Sequence, residues 1–281
     1  MNIEKIKIVA DSSGDILDLS DVPFAAAPLK ICTEIGEYVD DAELDVKKMV
    51  NELSHYVGKS STSCPNINDY LRAFGDAEWV FCVTITATLS GSYNAAVLAG
   101  KQYEEMYPER RVFVLNSLTA GPEICLMIER IQELVLAGCE FDEICREITE
   151  YREHTGLLFM LESMQNLANN GRVSPLVAKM AGLLGIRVVG KASARGDLEP
   201  LNKCRGERKA LETIIGHMKT LGVKQGKVRI AHCLNENAAR LLKAMLQEEF
   251  SHKVHVRLYR CRGLCSFYAE KGGMLVGFEK G

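Results

Sequence analysis

The sequence predicts an α/β fold, and three observations carry that prediction. Short apolar and β-branched runs at residues 6–10 (IKIVA), 81–86 (FCVTIT) and 111–116 (RVFVLN) suit strands covered on both faces. Helical patterns alternate with them, as in Ile67, Tyr70, Leu71 and Phe74 at i, i+3, i+4 and i+7. Hydroxyl-rich turns follow several strands at their carboxyl ends, where open α/β sheets place their ligands.

In chain order, residues 6–10 read as the first strand. Asp11-Ser12-Ser13-Gly14-Asp15 after it is either part of a ligand site or an Asx or Ser/Thr turn that closes the loop. Residues 25–32 (AAAPLKIC) predict a second strand, with Pro28 marking an edge or a bulge. Residues 37–41 (EYVDD) read as an acidic loop with Asp40 and Asp41 solvated, and residues 42–57 as a helix. Residues 59–65 (KSSTSCP) predict a helix start, because Pro65 suits a first turn. After the strand at 81–86, Ser90 reads as the N-cap of a helix that Tyr93, Ala95, Ala96 and Ala99 continue. Two hydroxyl-rich helix starts can converge on one anion, which each helix dipole favours by about 0.3–1 kcal/mol.

The strand at 111–116 ends in a third such turn, Ser117-Leu118-Thr119-Ala120-Gly121, and helices follow at 122–137 and 141–155. The expected domain boundary falls there, giving an N-terminal α/β domain with a parallel sheet (1–155) and a C-terminal α/β domain with a mixed sheet (156–281). The second domain predicts a strand at 156–161, then a helix at 162–170 that stops at Gly171. A helix at 176–184 is rich in small residues, Ala178, Ala181 and Gly182. A hairpin at 186–190 and 198–203 turns at Ala194-Arg195-Gly196-Asp197. A helix at 205–221, a strand at 227–233, a helix at 237–250 and strands at 253–259 and 274–278 complete the chain.

Composition excludes several classes. Hydrophobic residues make up 47% and charged residues 25% of the 281, with a formal net charge of −3, which argues against nucleic-acid binding. No apolar run approaches the roughly 20 residues needed to span a bilayer, and the start has no signal-peptide core, so a cytoplasmic protein is expected. The ten cysteines lie in mostly apolar contexts that suit reduced thiols, and no CxxC points to a metal. Walker, dinucleotide and GxSxG motifs are absent, and none of the six histidines stands in a glycine-flanked strand-end turn. No catalytic residue and no cofactor are therefore expected. What remains is hydroxyls, backbone N–H groups and Arg172, a composition suited to an anionic head group. An attached alkyl chain would supply most of the affinity, at about 0.8 kcal/mol per buried CH₂.

Four motifs occur together. The order Asp11-Ser12-Ser13 with Asp15, Thr62-Ser63-Cys64-Pro65, Leu89-Ser90-Gly91-Ser92-Tyr93 and Gly171-Arg172-Val173-Ser174 resembles the DegV family of bacterial fatty-acid-binding proteins over the full length. The resemblance implies a two-domain α/β protein holding one long-chain fatty acid between its domains. It implies that the acid is presented to a separate kinase subunit that makes acyl-phosphate for phospholipid synthesis. By position, Thr62, Ser63, Ser90, Gly91 and Ser92 are implied as head-group contacts and Arg172 as the nearby cation. Where the family usually reads TSQP the chain has Cys64, and Ser92 stands for a threonine and Asn116 for an aspartate. The C-terminal stretch Tyr268-Ala269-Glu270-Lys271-Gly272-Gly273 lacks the family's histidine, with Ala269 nearest its place. The alternative is a lipid-binding regulatory or interaction protein without kinase delivery.

Overall fold

The computed structural model describes residues 2–179, 181 and 184–281. The chain runs β1 (Ile6–Asp11), β2 (Phe24–Ala27), β3 (Lys30–Thr33), β4 (Gly36–Val39), α1 (Val46–Ser54), β5 (Ser60–Ser63), α2 (Ile67–Phe74) and β6 (Trp79–Thr84). It continues through α3 (Ser92–Met106), β7 (Arg111–Asn116), α4 (Pro122–Leu136) and α5 (Phe141–Glu153). Then come β8 (Thr155–Leu161), α6 (Gln165–Asn169), α7 (Pro175–Ala178), β9 (Ile186–Ala192), β10 (Leu198–Arg205) and α8 (Glu207–Thr220). The last elements are β11 (Gly226–His232), α9 (Glu236–Glu249), β12 (Val254–Arg260), α10 (Gly263–Ala269) and β13 (Met274–Glu279).

Three sheets result. A parallel sheet has the order β2-β1-β6-β7. Its central strands are apolar on both sides because both faces are covered. Ile8, Phe81 and Val83 face α4 and α5, while Val9, Val80 and Cys82 face Tyr70, Phe74 and Tyr103 of α2 and α3. A mixed six-stranded sheet has the order β10-β9-β8-β13-β11-β12, with β11 and β12 its parallel pair. A small antiparallel sheet, β4-β3-β5, carries Thr62. Helix α4 meets both large sheets and buries ten of its 15 residues, so its apolar residues are not confined to one stripe. Gly277 makes this possible: a Cβ there would sit 2.5 Å from the Glu123 nitrogen.

Several expected elements differ. The strand expected at 25–32 is two strands in different sheets. Pro28, which has no N–H to give, stands between them, and the Leu29 N–H is taken by Ser12 Oγ at 3.0 Å. Residues 37–39, expected as part of an acidic loop, belong to β4. Residues 60–63 are a strand, and α2 starts later, where Asn66 and Asp69 form a capping box. Gly91 occupies the N-cap position of α3, while Ser90 Oγ, one residue earlier, accepts the Ser92 N–H of the first turn at 3.2 Å. Helix α10 was given no element by the periodicity of the sequence. The helix expected at 176–184 is described only as α7, and Met180, Gly182 and Leu183 lie outside the described residues.

Glu123, in the first turn of α4, is 5% exposed and accepts a hydrogen bond from Thr155 Oγ1 at 2.7 Å. Burial raises its pKa to about 7, against the Thr119 and Thr155 hydroxyls that lower it. A folded-state pKa above the unfolded value means stability that is full below the unfolded pKa and is lost as pH rises through 7. The loss amounts to about 3 kcal/mol between roughly pH 4.5 and 7. Glu123→Gln should remove this share: its urea midpoint should match wild type near pH 4.5 and exceed it at pH 8.

Candidate functional site

The site is built on Asp11, which is 1% exposed at the end of β1. Its Oδ1 accepts from the Ser13 N–H and hydroxyl, while Oδ2 accepts from the Ile85 N–H at 2.9 Å and from Ser92 Oγ at 2.5 Å. The Tyr70 hydroxyl donates in turn to Ser92 Oγ at 2.6 Å. Burial raises the Asp11 pKa, and the hydroxyl and N–H donors oppose that rise. One carboxyl group thus ties the end of β1 to the end of β6 and the start of α3. It holds the Leu89-Ser90 turn in place.

Asp40 does the same for α10. It is fully buried, not a solvated acidic turn, and accepts from the Gly263 and Leu264 N–H groups at 2.7 and 2.8 Å. Asp15 accepts from the Arg262 N–H at 2.8 Å, and burial lifts its pKa to about 8. Two acids at the start of α10 satisfy N–H groups that the helix leaves unpaired. They fix a helix whose residues Leu264, Cys265, Tyr268 and Ala269 share one face.

That face lines a cavity of about 670 Å³ between atoms, counting its open mouth. Opposite stand Leu157, Phe159 and Leu161, alternate residues of β8 and therefore on one face of the strand. Ile85 and Ala120 come from the strand-end turns of the parallel sheet. The tip of the β9–β10 hairpin reaches those same turns, where the Gly196 carbonyl accepts from Thr88 Oγ1 at 3.0 Å. A Cβ on Gly196 would lie 2.1 Å from Thr86 Oγ1, and its φ is +86°, so this contact requires glycine.

The cavity has one polar end. Thr62, Ser90, Arg172 and Tyr268 line it there, and Thr62 Oγ1 lies 2.7 Å from the Tyr268 hydroxyl. Arg172 donates from Nε to the Leu89 carbonyl at 3.1 Å and from Nη1 to the Asn170 carbonyl at 2.5 Å. Its guanidinium lies 6.0 Å from the Tyr268 ring centre. Among the described residues Arg172 forms no ion pair, so its charge is offset by no protein carboxylate. Burial raises the Tyr268 pKa, so the phenol stays protonated at neutral pH and can donate.

Of the six residues singled out by motif, Thr62, Ser90 and Arg172 meet here. Ser63 alternates with Thr62 along β5 and is exposed on the other side. Ser92 is fully buried, with its hydroxyl spent on Asp11 and Tyr70. Gly91 lies outside the cavity wall, its Cα facing the Cys64 sulfur. Tyr268 is the polar group that motif matching does not supply. Its only signal was its place beside Ala269, in the stretch where a histidine was expected.

Fold and site together define an α/β protein with an apolar cavity ending in hydroxyls and a cation. The family model described as "Uncharacterised protein, DegV family" matches residues 5–280, and the chain belongs to that family. A DegV domain-containing protein of Streptococcus pneumoniae strain R6 is 40% identical over 277 residues, 97% of this chain and 98% of that one. The Streptococcus pneumoniae Fatty Acid Kinase (Fak) B3 protein loaded with linoleic acid is 40% identical, with TM-score 0.96 over 98% of this chain and 99% of the other. A DegV family protein from Eubacterium eligens loaded with heptadecanoic acid is also 40% identical, with TM-score 0.96 over 98% of this chain and 100% of the other. Among the described residues no helix is long and apolar enough to cross a membrane.

Proposed function

We propose that the protein binds one long-chain fatty acid between an N-terminal domain (1–155) and a C-terminal domain (156–281), and presents it to a fatty acid kinase subunit. The carboxylate takes hydrogen bonds from Thr62, Ser90 and Tyr268 beside Arg172, and the chain lies along Phe159, Leu161 and Leu264. One observation carries this reading: an apolar cavity whose polar end holds three hydroxyls and an arginine with no ion-pair partner among the described residues. Among the described residues nothing at that end is arranged as a nucleophile with a base, and in this reading the chain's part is to bind and orient the acid. The likeness to proteins loaded with linoleic and heptadecanoic acids supports the ligand class, and the B3 protein of the kinase supports the partner. Tyr268 supplies the donor that the missing histidine would have given.

Mass spectrometry of the organic extract from freshly purified, denatured protein tests the ligand. A long-chain carboxylic acid near one equivalent is expected. An extract without such an acid, together with no thermal stabilisation by added oleate, would refute the reading.

A further inference from the structure

A second cavity lies behind the acyl cavity and differs from it in chemistry. Its walls carry Glu123, Arg152, Thr155, Lys191 and Lys280, and it passes between α4, the end of α5 and the start of β8. Arg152 Nε is buried there without a hydrogen-bond partner. Among the described residues lining the two cavities, Leu157 alone is common to both.

Leu157 sits at the end of the acyl cavity away from the head-group residues. Leu161 packs with Leu167 and Val173, next to Arg172, while Leu157 is four residues back along β8, about 13 Å away at strand rise. Helix α10 runs the same way, with Tyr268 at the polar end and Leu264 one turn deeper. The Leu157 side chain is 3% exposed, and its partner in β13 is Gly277, on which the first turn of α4 rests. Backbone therefore closes the wall around Leu157, and the side chain itself fills what remains.

We infer that Leu157 is the partition that sets the maximum acyl length, and that the polar cavity behind it penalises any chain that passes. This rests on the fatty-acid reading of the site and names its specificity determinant. A methyl terminus ending at Leu157 is buried among apolar atoms. A longer chain must displace Leu157 and put methylenes against Glu123, Lys191 and Lys280, stripping those groups of water without replacing its hydrogen bonds. One methylene in an apolar pocket discriminates by roughly tenfold or more, which is enough to give a sharp upper limit.

The experiment offers wild type, Leu157→Ala and Leu157→Phe an equimolar mixture of saturated straight-chain acids, from roughly C12 to C22, so that the mixture brackets the acyl lengths such a cavity can bury. Bound acids are then quantified by mass spectrometry after gel filtration. Leu157→Ala should shift the bound distribution to chains longer by two or more carbons, with at least a tenfold rise in the ratio of longest to shortest. Leu157→Phe should shift it to shorter chains, and it keeps the test decisive should the alanine variant fail to fold. Unchanged distributions in folded variants that each bind near one equivalent would overturn the partition. Failure of wild type to retain any acid would instead overturn the fatty-acid reading beneath it.

Discussion

Thr62→Ala combined with Ser90→Ala should weaken long-chain fatty acid binding by on the order of a hundredfold or more, because each hydroxyl lost to a carboxylate costs about 1.5–3 kcal/mol. The variant should stay folded and lose about 1–3 kcal/mol of stability, because Thr62 Oγ1 is hydrogen-bonded to the Tyr268 hydroxyl at 2.7 Å and Ser90 Oγ accepts the Ser92 N–H at 3.2 Å. Titration with a fluorescent fatty acid would measure the affinity, and urea unfolding the fold. Equal affinity in the variant and wild type would remove these hydroxyls from the head-group site. The alkyl chain still contributes most of the binding free energy, so residual binding is expected.

Asp11→Ala should have the opposite balance. It strands the Ser13 and Ile85 N–H groups and the Ser92 hydroxyl in a fully buried setting. Leaving buried donors unmet costs about 1–3 kcal/mol each, so a loss of about 3 kcal/mol or more is expected. The fatty acid should then bind poorly because the Ser90 turn is no longer held, and saturating ligand should recover part of the lost stability. An unfolding free energy from urea titration within about 0.5 kcal/mol of wild type, the range of an ordinary surface substitution, would show that the Asp11 network is not a structural hub. Ser92 belongs with Asp11 in this respect and Ser90 with Thr62. The two serines stand two residues apart in one motif and do different work.

That separation shows where the sequence was legible. The strands read at residues 6–10, 81–86 and 111–116 were legible because a strand covered on both faces needs an unbroken apolar run, although the second stands two residues earlier, at Trp79–Thr84. The hydroxyl turns were readable because only Ser, Thr, Asp and Gly suit strand ends that must both turn and donate. Arg172 stood out as the cation of the Gly171-Arg172-Val173-Ser174 motif. The orientation of each hydroxyl was not readable. Thr62 lies on a strand rather than at a helix start, so period-two alternation sends it inward and Ser63 outward. Asp40 looked solvated because its neighbours are acidic, yet it caps α10 from 223 residues away in sequence.

Composition, charge and local period thus determined the α/β class, most of the strands and helices, and a set of hydroxyls and an arginine suited to an anionic head group. These follow from short-range rules that each segment obeys by itself. The tertiary structure decided which hydroxyls face the cavity, that Tyr268 stands among them where a histidine was expected, and that Leu157 lines both an apolar space and a polar one. Those facts depend on α10, β5 and β8 meeting across long stretches of chain, and no local pattern encodes such a meeting. Their acids and glycines carry it: Asp15, Asp40, Gly196 and Gly277 look like ordinary loop and strand residues until the segments they join are in place.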